Sequence, residues 1–507
     1  MTWAWRDWAA MVVTDCAVFP KGAHDDIPDS CLSGDTGIIT DHGVVPIIDV
    51  KVGDRVMTHK GRWRRVTAVG SRSSDHYYRL KAKGLDEIKV TGEHPALAMT
   101  VAVSFSEPPY KRSYGVQWKA VADLKSRPFN IRMRDGKPVR NSLRVKHDAL
   151  VLTRGDASCR TIKSRIDLMD YWPTALADDY FIYIRRDCAH RVPHGIMEEI
   201  AATQAASVTL SAAARSFGVS IPTVVRAYSG GHLQLPRFDK TARYLDLDED
   251  AGWALGLFAA EGCVAKKCMH WACDPDALNR VKAWIDRTFG RSGAIRKGHG
   301  CHKLQLFALA AVPLFAEFGR GAANKIVPPW VFDAPDEFVR GFVDGFSHGD
   351  GCRSAKWPHR IVLTSTSESL LWGVRLLLSR LGIPAFKSAT KKAGPRKVFG
   401  NISQCQTAYS VGYSTASHSS TVVDDAYTGT HIEVCVRVDK PLTVYNLSVE
   451  EDESYVTVGG TLHNCSMALK HLREIGLAIR REERQFAEEE LARERPKKGG
   501  VADGYFA

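Results

Sequence analysis

The sequence has no run approaching the roughly 18 to 20 apolar residues that a membrane-spanning helix needs. It opens without a charged, apolar leader, and its 12 cysteines show no framework spacing. These absences predict no membrane partner, no disulfide framework and a cytoplasmic location, where thiols stay reduced.

The length and charge of the chain set wide limits on its class. Its 507 residues suggest about three or four domains, and 44% hydrophobic residues suffice for ordinary packed cores. The net charge of +12 favours a polyanionic partner. Since diffuse positive charge also occurs in proteins that bind no nucleic acid, the motifs must decide.

The tripeptide His463-Asn464-Cys465, read together with the distant Cys31, carries the first chemistry. An asparagine side-chain amide can attack its own carbonyl, and here a histidine precedes it and a thiol follows it. Cys31 places a second thiol far upstream. The pattern predicts autocatalytic backbone cleavage at two junctions, with Cys31 and Cys465 as nucleophiles.

Short strand patterns lie just inside both junctions. Those after Cys31 are predicted at 37–40, 44–50, 55–58, 65–69, 77–80 and 87–90, and those near the end at 433–437, 442–449 and 454–458. The pair Thr91-x-x-His94 follows the sixth strand. An amide-to-thioester shift at Cys31 needs a hydrogen bond and a proton for the departing amine, which Thr91 and His94 can supply.

These residues together resemble an intein, whose splicing unit is the all-β Hint domain. The resemblance implies catalytic roles for Cys31, Thr91, His94, His463, Asn464 and Cys465, and no cofactor for splicing. Asn446 stands where the family often has Asp, and Glu453 stands where it often has His. We therefore expect some uncoupled cleavage at the first junction.

Two copies of one pattern lie in the middle of the chain, at 254–262 and 343–351. In each copy small residues recur at i, i+4, which lets two helices pack side by side; they are Gly256 with Ala260, and Gly345 with Gly349. The helices then bring Glu261 and Asp350 together. Adjacent carboxylates bind divalent metal and activate water, although two buried helices ending at glycine caps remain an alternative.

The repeat resembles the LAGLIDADG homing endonucleases, with Asp344 and His348 as departures at usually apolar positions. The resemblance implies a monomeric, Mg²⁺-dependent enzyme that cuts double-stranded DNA, with Glu261 and Asp350 as metal ligands and Lys325 as a catalytic base near them. Strands at 303–307 and 360–364 would lie along the DNA. The expected DNA contacts are Arg353, Lys356, Lys391 and Lys392, with Lys387 and Arg396 nearby.

Residues 209–228 resemble a helix-turn-helix. Ala214 would allow a close helix crossing, Gly218 would make the turn and Val224 would pack inward. The resemblance implies that Thr223, Arg226 and Tyr228 lie near the DNA groove. A simple helical hairpin in the core is the alternative.

Four potential zinc ligands follow the first copy of the repeat closely, namely Cys263, Cys268, His270 and Cys273. Their spacing lacks the usual pairs of zinc sites. We expect free thiols here.

Residues 1–30 and 465–507 read as one continuous segment when joined. Asp25 and Asp26 resemble the late acidic metal ligands of a phage terminase large subunit. The resemblance implies a phage or prophage origin in a bacterial host cell, with the phage packaging machinery as partner of the spliced host.

We therefore expect a multidomain α+β protein with an all-β Hint domain, a helix-turn-helix insert and an α/β endonuclease. The expected domains are 1–30 (host), 31–155 (first Hint half), 156–240 (linker and insert), 241–427 (endonuclease), 428–464 (second Hint half) and 465–507 (host). An autocleaving Hint protein without ligation and a DNA-binding regulator with an inactive endonuclease remnant are the alternatives. The paired acids Glu261 and Asp350 disfavour a regulator.

Overall fold

The computed structural model describes most of residues 31–464 in segments. These are 31–104, 111–126, 133–134, 137–138, 145–152, 160–171, 180–184, 189–230, 244–265, 268–290, 293–298, 301–308, 311–353, 355–387, 390–398, 401–415, 421–423 and 427–464. The predicted Asp25, Asp26 and Cys465 lie outside them. Within these segments, no helix is both long and apolar enough to cross a membrane.

Strands dominate both ends of the described chain. The first set is β1 (Leu32–Ser33), β2 (Gly37–Thr40), β3 (Gly43–Pro46), β4 (Arg55–Met57), β5 (Trp63–Ser74), β6 (Tyr77–Ala82), β7 (Ile88–Val90), β8 (Pro95–Ser104), β9 (Lys111–Ala120), β10 (Met133–Arg134), β11 (Lys137–Pro138), β12 (Val145–Leu152), β13 (Arg165–Asp167), β14 (Tyr180–Ile184), β15 (Ala189–Pro193) and β16 (Tyr244–Asp246). The second set is β17 (Gly262–Val264), β18 (Met269–Cys273), β19 (Ile295–Lys297), β20 (His302–Leu306), β21 (Gly351–Arg353), β22 (Arg360–Ser365), β23 (Ala385–Lys387), β24 (Gly394–Val398), β25 (Asn401–Cys405), β26 (Tyr409–Ser414), β27 (Thr421–Val423), β28 (Thr428–Val438), β29 (Leu442–Val449), β30 (Ser454–Thr457) and β31 (Gly460–His463).

Helices occupy the middle of the chain. They are α1 (His194–Ala205), α2 (Leu210–Ser216), α3 (Ile221–Tyr228), α4 (Glu249–Glu261), α5 (Pro275–Phe289), α6 (Val312–Ala316), α7 (Asp336–Asp350) and α8 (Glu368–Arg380). The protein is thus a mixed α and β structure.

One antiparallel sheet of 15 strands collects strands from both ends of residues 31–464. Its order is β12-β28-β6-β7-β1-β29-β5-β4-β2-β30-β31-β8-β9, with β3 on β2 and β27 on β28. The first strand, β1, pairs with β7 and β29, and the last strand, β31, pairs with β30 and β8. The two ends of the segment therefore belong to the same sheet.

Most of the predicted strands in this sheet are confirmed, with one correction and one omission. The expected strand at 44–50 ends at Pro46, and Ile47–Asp49 form a 3-10 turn. Proline has no backbone N–H to continue a ladder. The sequence patterns did not predict the long β8–β9 hairpin or β12, which pairs with β8 and β28.

The middle of the chain repeats one arrangement of elements. Each of the helices α4 and α7 is followed at once by a strand of a four-stranded sheet, ordered β17-β18-β20-β19 in the first copy and β21-β22-β26-β23 in the second. The strands expected at 303–307 and 360–364 correspond to β20 and β22. Helices α5 and α8 each lie in sequence between strands of one sheet.

The repeated part packs directly against the large sheet. Val44 N donates to Ser369 Oγ at 2.9 Å, and the buried Arg375 donates to Gly84 O at 2.6 Å. The rings of Trp63 and Phe332 meet edge to face, with centroids 5.4 Å apart. A single buried hydrophobic cluster runs through both parts.

Candidate functional sites

The ends of residues 31–464 form what we call the junction site, which consists of Cys31, Thr91, His94, His463 and Asn464. Cys31 is buried and precedes β1, and its backbone N–H donates to Thr91 Oγ1 at 2.7 Å. Thr91 N donates in return to Cys31 O at 2.9 Å. Thr91 therefore holds the amide nitrogen of the bond between Ser30 and Cys31.

His94 is fully buried in this site. Neither of its ring nitrogens has a hydrogen-bond partner among the described residues. Burial lowers the pKa of His94 to about 3, and the charge on His463 acts in the same direction, while the backbone of His463 opposes the shift. The imidazole of His94 is therefore neutral at physiological pH and lies close to the second junction.

His463 and Asn464 form the other half of the junction site. His463 Nδ1 lies 2.8 Å from Asn464 O, the carbonyl of the bond that leads to Cys465. Asn464 is buried, and its backbone N donates to Glu453 O at 2.8 Å. With its side-chain nitrogen facing Glu453 O, its side-chain oxygen accepts from Val449 N at 3.1 Å. The Asn464 amide is thus fixed next to its own carbonyl.

The two residues that depart from the expected pattern are both ordered here. Asn446 Oδ1 accepts from Leu447 N at 2.8 Å and from the Tyr455 hydroxyl at 3.1 Å. Glu453 has a φ of +48°, and its Oε2 lies 3.8 Å from His463 Nε2. Asn446 therefore holds the sheet, whereas Glu453 places a carboxylate beside the imidazole.

A network that the sequence patterns did not reveal supports His463. Trp118 lies between two imidazoles, with its ring centroid 4.9 Å from that of His463 and 5.6 Å from that of His59. His59 Nδ1 lies 2.6 Å from Ser454 Oγ. Burial lowers the pKa of His59 to about 4, against the attraction of Asp452.

Asp452 is the charged centre of this network. Its buried side chain accepts from Thr58 Oγ1 at 2.7 Å and from Arg62 Nη2 at 2.5 Å, and it pairs with Lys60 at 3.0 Å. Burial alone raises the pKa of Asp452, but the hydrogen bonds from Arg62, Thr58 and Lys60 outweigh it and hold the pKa well below its usual range. No local motif marks these residues.

Glycines bring α4 and α7 into backbone contact, as the small-residue spacing predicted. A Cβ on Gly256 would lie 2.0 Å from Phe342 O, and one on Gly345 would lie 2.0 Å from Trp253 O. The predicted partners Ala260 and Gly349 also face each other. Gly252 and Gly341, which extend the same i, i+4 spacing by one turn, were missed although the spacing marks them.

The helices end at the acid pair, which consists of Glu261 and Asp350. Lys325 Nζ donates to Ala259 O and Ala260 O, both at 2.8 Å, and so caps the last turn of α4. Burial, with the neighbouring Glu261 carboxylate, raises the pKa of Asp350 to about 7 against the opposing charge of Lys325. Burial also raises the pKa of Glu261, and it lowers that of Lys325. Two desolvated carboxylates of like charge suit a divalent cation.

The predicted DNA-contacting residues are exposed around the second four-stranded sheet. Arg353 lies on β21, and Lys356 Nζ is 5.7 Å from the ring centroid of Trp357. Lys391 and Lys392 precede β24, where Arg396 donates to Lys391 O and Lys392 O. The first sheet presents further exposed basic side chains that were missed, Arg296, Lys297 and Lys303. Lys303 alternates with the buried Leu304 and could have been found from that alternation.

Helices α1 to α3 form a small separate core. Ala214 and Val224 are buried in it, and Gly218 makes the turn with a φ of +63°, as predicted. Thr223 and Arg226 lie partly exposed on α3. The expectation for Tyr228 was wrong, because its hydroxyl lies 2.8 Å from Thr203 Oγ1 and donates to Val208 O at 3.1 Å, which turns it into the core.

The four residues considered as zinc ligands do not gather into one group in the described part of the chain. Cys268 Sγ lies 3.1 Å from His270 Nε2, but Cys263 is exposed on the neighbouring strand and Cys273 contacts Asp274 instead. The prediction of free thiols stands for all four in this arrangement.

The class of the repeated part follows from its second half. Residues 337–418 match a family described as the LAGLIDADG-like domain. This segment contains nearly all of α7, the second four-stranded sheet and Asp350. The chain therefore contains a LAGLIDADG-like domain.

Curated relatives match the chain over different lengths. It is 30% identical over 152 residues to the DNA-directed RNA polymerase subunit Rpo1C of Methanocaldococcus jannaschii, covering 29% of this chain and 18% of that protein. An uncharacterized protein of the same organism is 23% identical over 477 residues, 86% of this chain and 50% of that protein. A SufBD family iron-sulfur cluster assembly protein of Mycobacterium tuberculosis is 28% identical over 156 residues, 29% and 18% respectively. The chain thus spans half or less of these relatives.

Solved structures also resemble part of the chain. The homing endonuclease I-DmoI in complex with DNA and Mn has a TM-score of 0.23 and 14% identity, covering 33% of this chain and 91% of that one. The N-terminal LAGLIDADG domain of DUF199/WhiA has a TM-score of 0.21 and 13% identity, covering 34% and 77%.

Proposed function

We propose that residues 31–464 are an intein that excises itself and joins residues 1–30 to residues 465–507, and that its inner domain is a DNA homing endonuclease. The observation that carries the splicing proposal is the hydrogen bonding at both junctions. Thr91 Oγ1 holds the Cys31 amide, and His463 Nδ1 lies 2.8 Å from the Asn464 carbonyl oxygen. Both junctions belong to one sheet.

The first step is an acyl shift at Cys31. The Ser30 acyl carbon leaves the Cys31 nitrogen and bonds to Cys31 Sγ, which gives a thioester and an amine. Because His94 is neutral in the folded chain, it first takes the proton from the Cys31 thiol and then gives it to the departing nitrogen. Thr91 accepts from that nitrogen and so holds the amide in place for the shift.

The later steps use the second junction. The Cys465 thiol takes over the acyl group, and Asn464 Nδ2 then attacks its own carbonyl carbon, which forms a succinimide and breaks the bond to Cys465. His463 Nδ1 carries a proton toward Asn464 O and polarises this carbonyl. A final shift from sulfur to nitrogen makes the host peptide bond. No cofactor is needed.

The relatives support an inserted element. Stretches of 150 to 156 residues similar to this chain occur in an RNA polymerase subunit, a replication factor C subunit and an iron-sulfur cluster assembly protein. In each protein the chain covers only 8% to 18% of the length. Similar segments inside proteins of unrelated function are expected of a mobile insertion that removes itself.

We further propose that Glu261 and Asp350 bind Mg²⁺ and cleave double-stranded DNA. The two carboxylates end adjacent buried helices, and burial raises the pKa of both. This donor set fits a hard divalent cation, which would supply charge stabilisation at the phosphate and an activated water. Lys325, fixed on the end of α4, places a cation beside the same site and would act as a catalytic base near the scissile phosphate.

The proposed DNA surface has two parts. The first part is the pair of four-stranded sheets, with Arg353, Lys356, Lys391 and Lys392 as phosphate contacts. The second part is the helix-turn-helix of α2 and α3, from which Thr223 and Arg226 would reach DNA. A single chain carries both repeats, so we propose that the endonuclease acts as a monomer.

The host part of the proposal rests on sequence alone. Asp25 and Asp26 would be metal ligands of a terminase large subunit that works in phage packaging in the cytoplasm of a bacterial cell. Metal sites tolerate errors of only tenths of an ångström, so the unspliced chain should be inactive. With the upstream host sequence restored and Glu261 and Asp350 mutated, the spliced form should cut DNA and a locked precursor should not. Equal activity of the two, or activity that survives Asp25→Ala with Asp26→Ala, contradicts this.

A thiol test addresses the splicing chemistry directly. In Asn464→Ala the thioester at Cys31 still forms, so dithiothreitol should release residues 1–30 from the purified chain. Cys31→Ala in the same background is the matched control and should release nothing. Dithiothreitol-independent behaviour of both variants would contradict the proposed first step.

A further inference from the structure

Three potential metal-binding side chains from different elements converge next to the acid pair. Cys273 ends β18, Asp274 is the N-cap of α5 and His348 lies on α7. Their ligand atoms all lie within 4.8 Å of one another. His348 Nε2 is 2.9 Å and Cys273 Sγ is 3.3 Å from Asp274 Oδ2.

The surrounding structure holds all three side chains in place. Asp274 Oδ1 accepts from Ala277 N at 2.9 Å, which leaves Oδ2 to face the other two side chains. The His348 ring packs on Trp253, with centroids 5.5 Å apart, and α7 is fixed by its backbone contact with α4. Cys273 is anchored by the pairing of β18 with β20. Each ligand is therefore positioned by packing that does not depend on the other two.

We propose that Cys273 Sγ, Asp274 Oδ2 and His348 Nε2 bind a zinc-like divalent cation at a site separate from the acid pair. Sulfur, imidazole nitrogen and carboxylate oxygen together are the ligands of zinc, whereas Mg²⁺ prefers oxygen alone. Tetrahedral zinc places such ligand atoms roughly 3.3 to 3.6 Å apart, so shifts of a few tenths of an ångström suffice. Three protein ligands leave the fourth position to water.

The position of the site gives it a structural consequence. His348 belongs to the second repeat, two residues before Asp350, whereas Cys273 and Asp274 belong to the first repeat. A bound cation would therefore tie α7 to the junction of β18 and α5. It also accounts for a histidine at a position of the second repeat where an apolar residue was expected. We expect zinc to stabilise the domain, since it binds only the folded arrangement.

The test is a Co²⁺ titration of the full chain locked by Cys31→Ala with Asn464→Ala, followed by absorption spectroscopy. Thiolate bonded to Co²⁺ gives a charge-transfer band that oxygen ligands do not give. We expect one equivalent to produce this band and Zn²⁺ to remove it by displacement. Cys273→Ser and His348→Gln should each weaken binding at least tenfold.

Two further variants serve as controls. Cys405→Ser removes a thiol outside the group, and Glu261→Gln removes an acid of the proposed nuclease site, so both should keep the band. The inference is wrong if the locked chain gives no band, or if the band survives either Cys273→Ser or His348→Gln. Circular dichroism of each variant checks that the fold is retained. None of these readouts depends on splicing or DNA cleavage.

Discussion

The junction site joins residues from the first and last strands of one sheet, whereas the acid pair ends two helices that repeat one pattern. At the acid pair the main support is backbone contact through glycines such as Gly256 and Gly345. At the junction site the support is polar, with Asp452 bonded to Thr58 and Arg62.

This difference predicts different weaknesses. Helices in backbone contact have no room for one more carbon atom, because packed backbone cannot move aside. A buried charged network tolerates added volume better but fails when one charge is removed. The two sites also share a continuous hydrophobic core, so damage to stability can spread while damage to chemistry should not.

The largest expected effect separates the chemistry of the two sites. Glu261→Gln or Asp350→Asn should lower DNA cleavage by about 10³-fold or more, because each removes a charge from the proposed metal site. DNA binding should persist, since phosphate contacts dominate affinity. Cleavage of a duplex carrying the uninterrupted host sequence, a filter-binding assay and the yield of spliced product measure the three quantities.

Glu249→Gln is the matched control for Glu261→Gln, since it changes the same residue type at the other end of α4. It should cut DNA at the parent rate. Equal cleavage by the parent, Glu261→Gln and Asp350→Asn would remove both acids from the mechanism. Loss of splicing in either acid variant would show that the two sites are not chemically independent.

The next effect concerns helix packing. Gly345→Ala should destabilise the chain by about 4 kcal/mol, because the added Cβ would lie 2.0 Å from Trp253 O. Gly115→Ala, where nothing lies within 4 Å, should change stability by less than about 0.5 kcal/mol. Thermal unfolding of the locked precursor compares the two, and a similar melting temperature for both would contradict the close approach of α4 and α7.

The corresponding change at the junction side is Asp452→Asn. It should cost about 3 kcal/mol, because it leaves the charges of Arg62 and Lys60 without their buried partner. Asp439→Asn, at an exposed ion pair with Arg437, should cost less than about 1 kcal/mol. Melting temperatures at neutral pH measure both changes.

The pH dependence of this effect has a definite sign. The pKa of Asp452 is held below its unfolded value of about 3.9, so its contribution is present above that pH and is lost as the pH falls below it. The parent and Asp452→Asn should therefore converge in stability under acid conditions. A constant difference between them from pH 7 to pH 3 would show that the carboxylate charge is not the cause.

The same contrast explains what could be read from the sequence. Glu261 and Asp350 follow glycines at fixed spacing, so local pattern alone predicted that they meet. Thr91 and Cys31 were predicted as partners only through a family resemblance, and their hydrogen bond spans two strands. Local periodicity carries helix contacts well because both partners repeat it.

Strand neighbours far apart in sequence were the main losses. Trp118 meets His463 only because β9 follows β8 and β8 pairs with β31, an order that no local pattern encodes. Asp452 was missed because a turn carboxylate has no distinctive spacing. Tyr228 was misplaced because helical spacing does not say whether a tyrosine at the edge of a small core turns inward.

The smallest expected effect is on the rate of one step. Glu453→Gln should slow cyclisation of Asn464 by about tenfold, because Glu453 Oε2 lies 3.8 Å from His463 Nε2 and favours the protonated, correctly oriented imidazole. The thioester at Cys31 should form at the parent rate. Glu451→Gln, at an exposed neighbouring acid, is the control and should leave both rates unchanged. Timed mass spectra of released fragments separate the two steps, and equal slowing of both would contradict a local role.

The most direct test of the account is the intact mass of the products after expression. The parent chain should give an excised piece of residues 31–464 and a joined fragment of residues 1–30 with 465–507, linked by a normal peptide bond. The variant with Cys31→Ala and Asn464→Ala should give only the full-length mass. The same single full-length mass from both chains would contradict splicing.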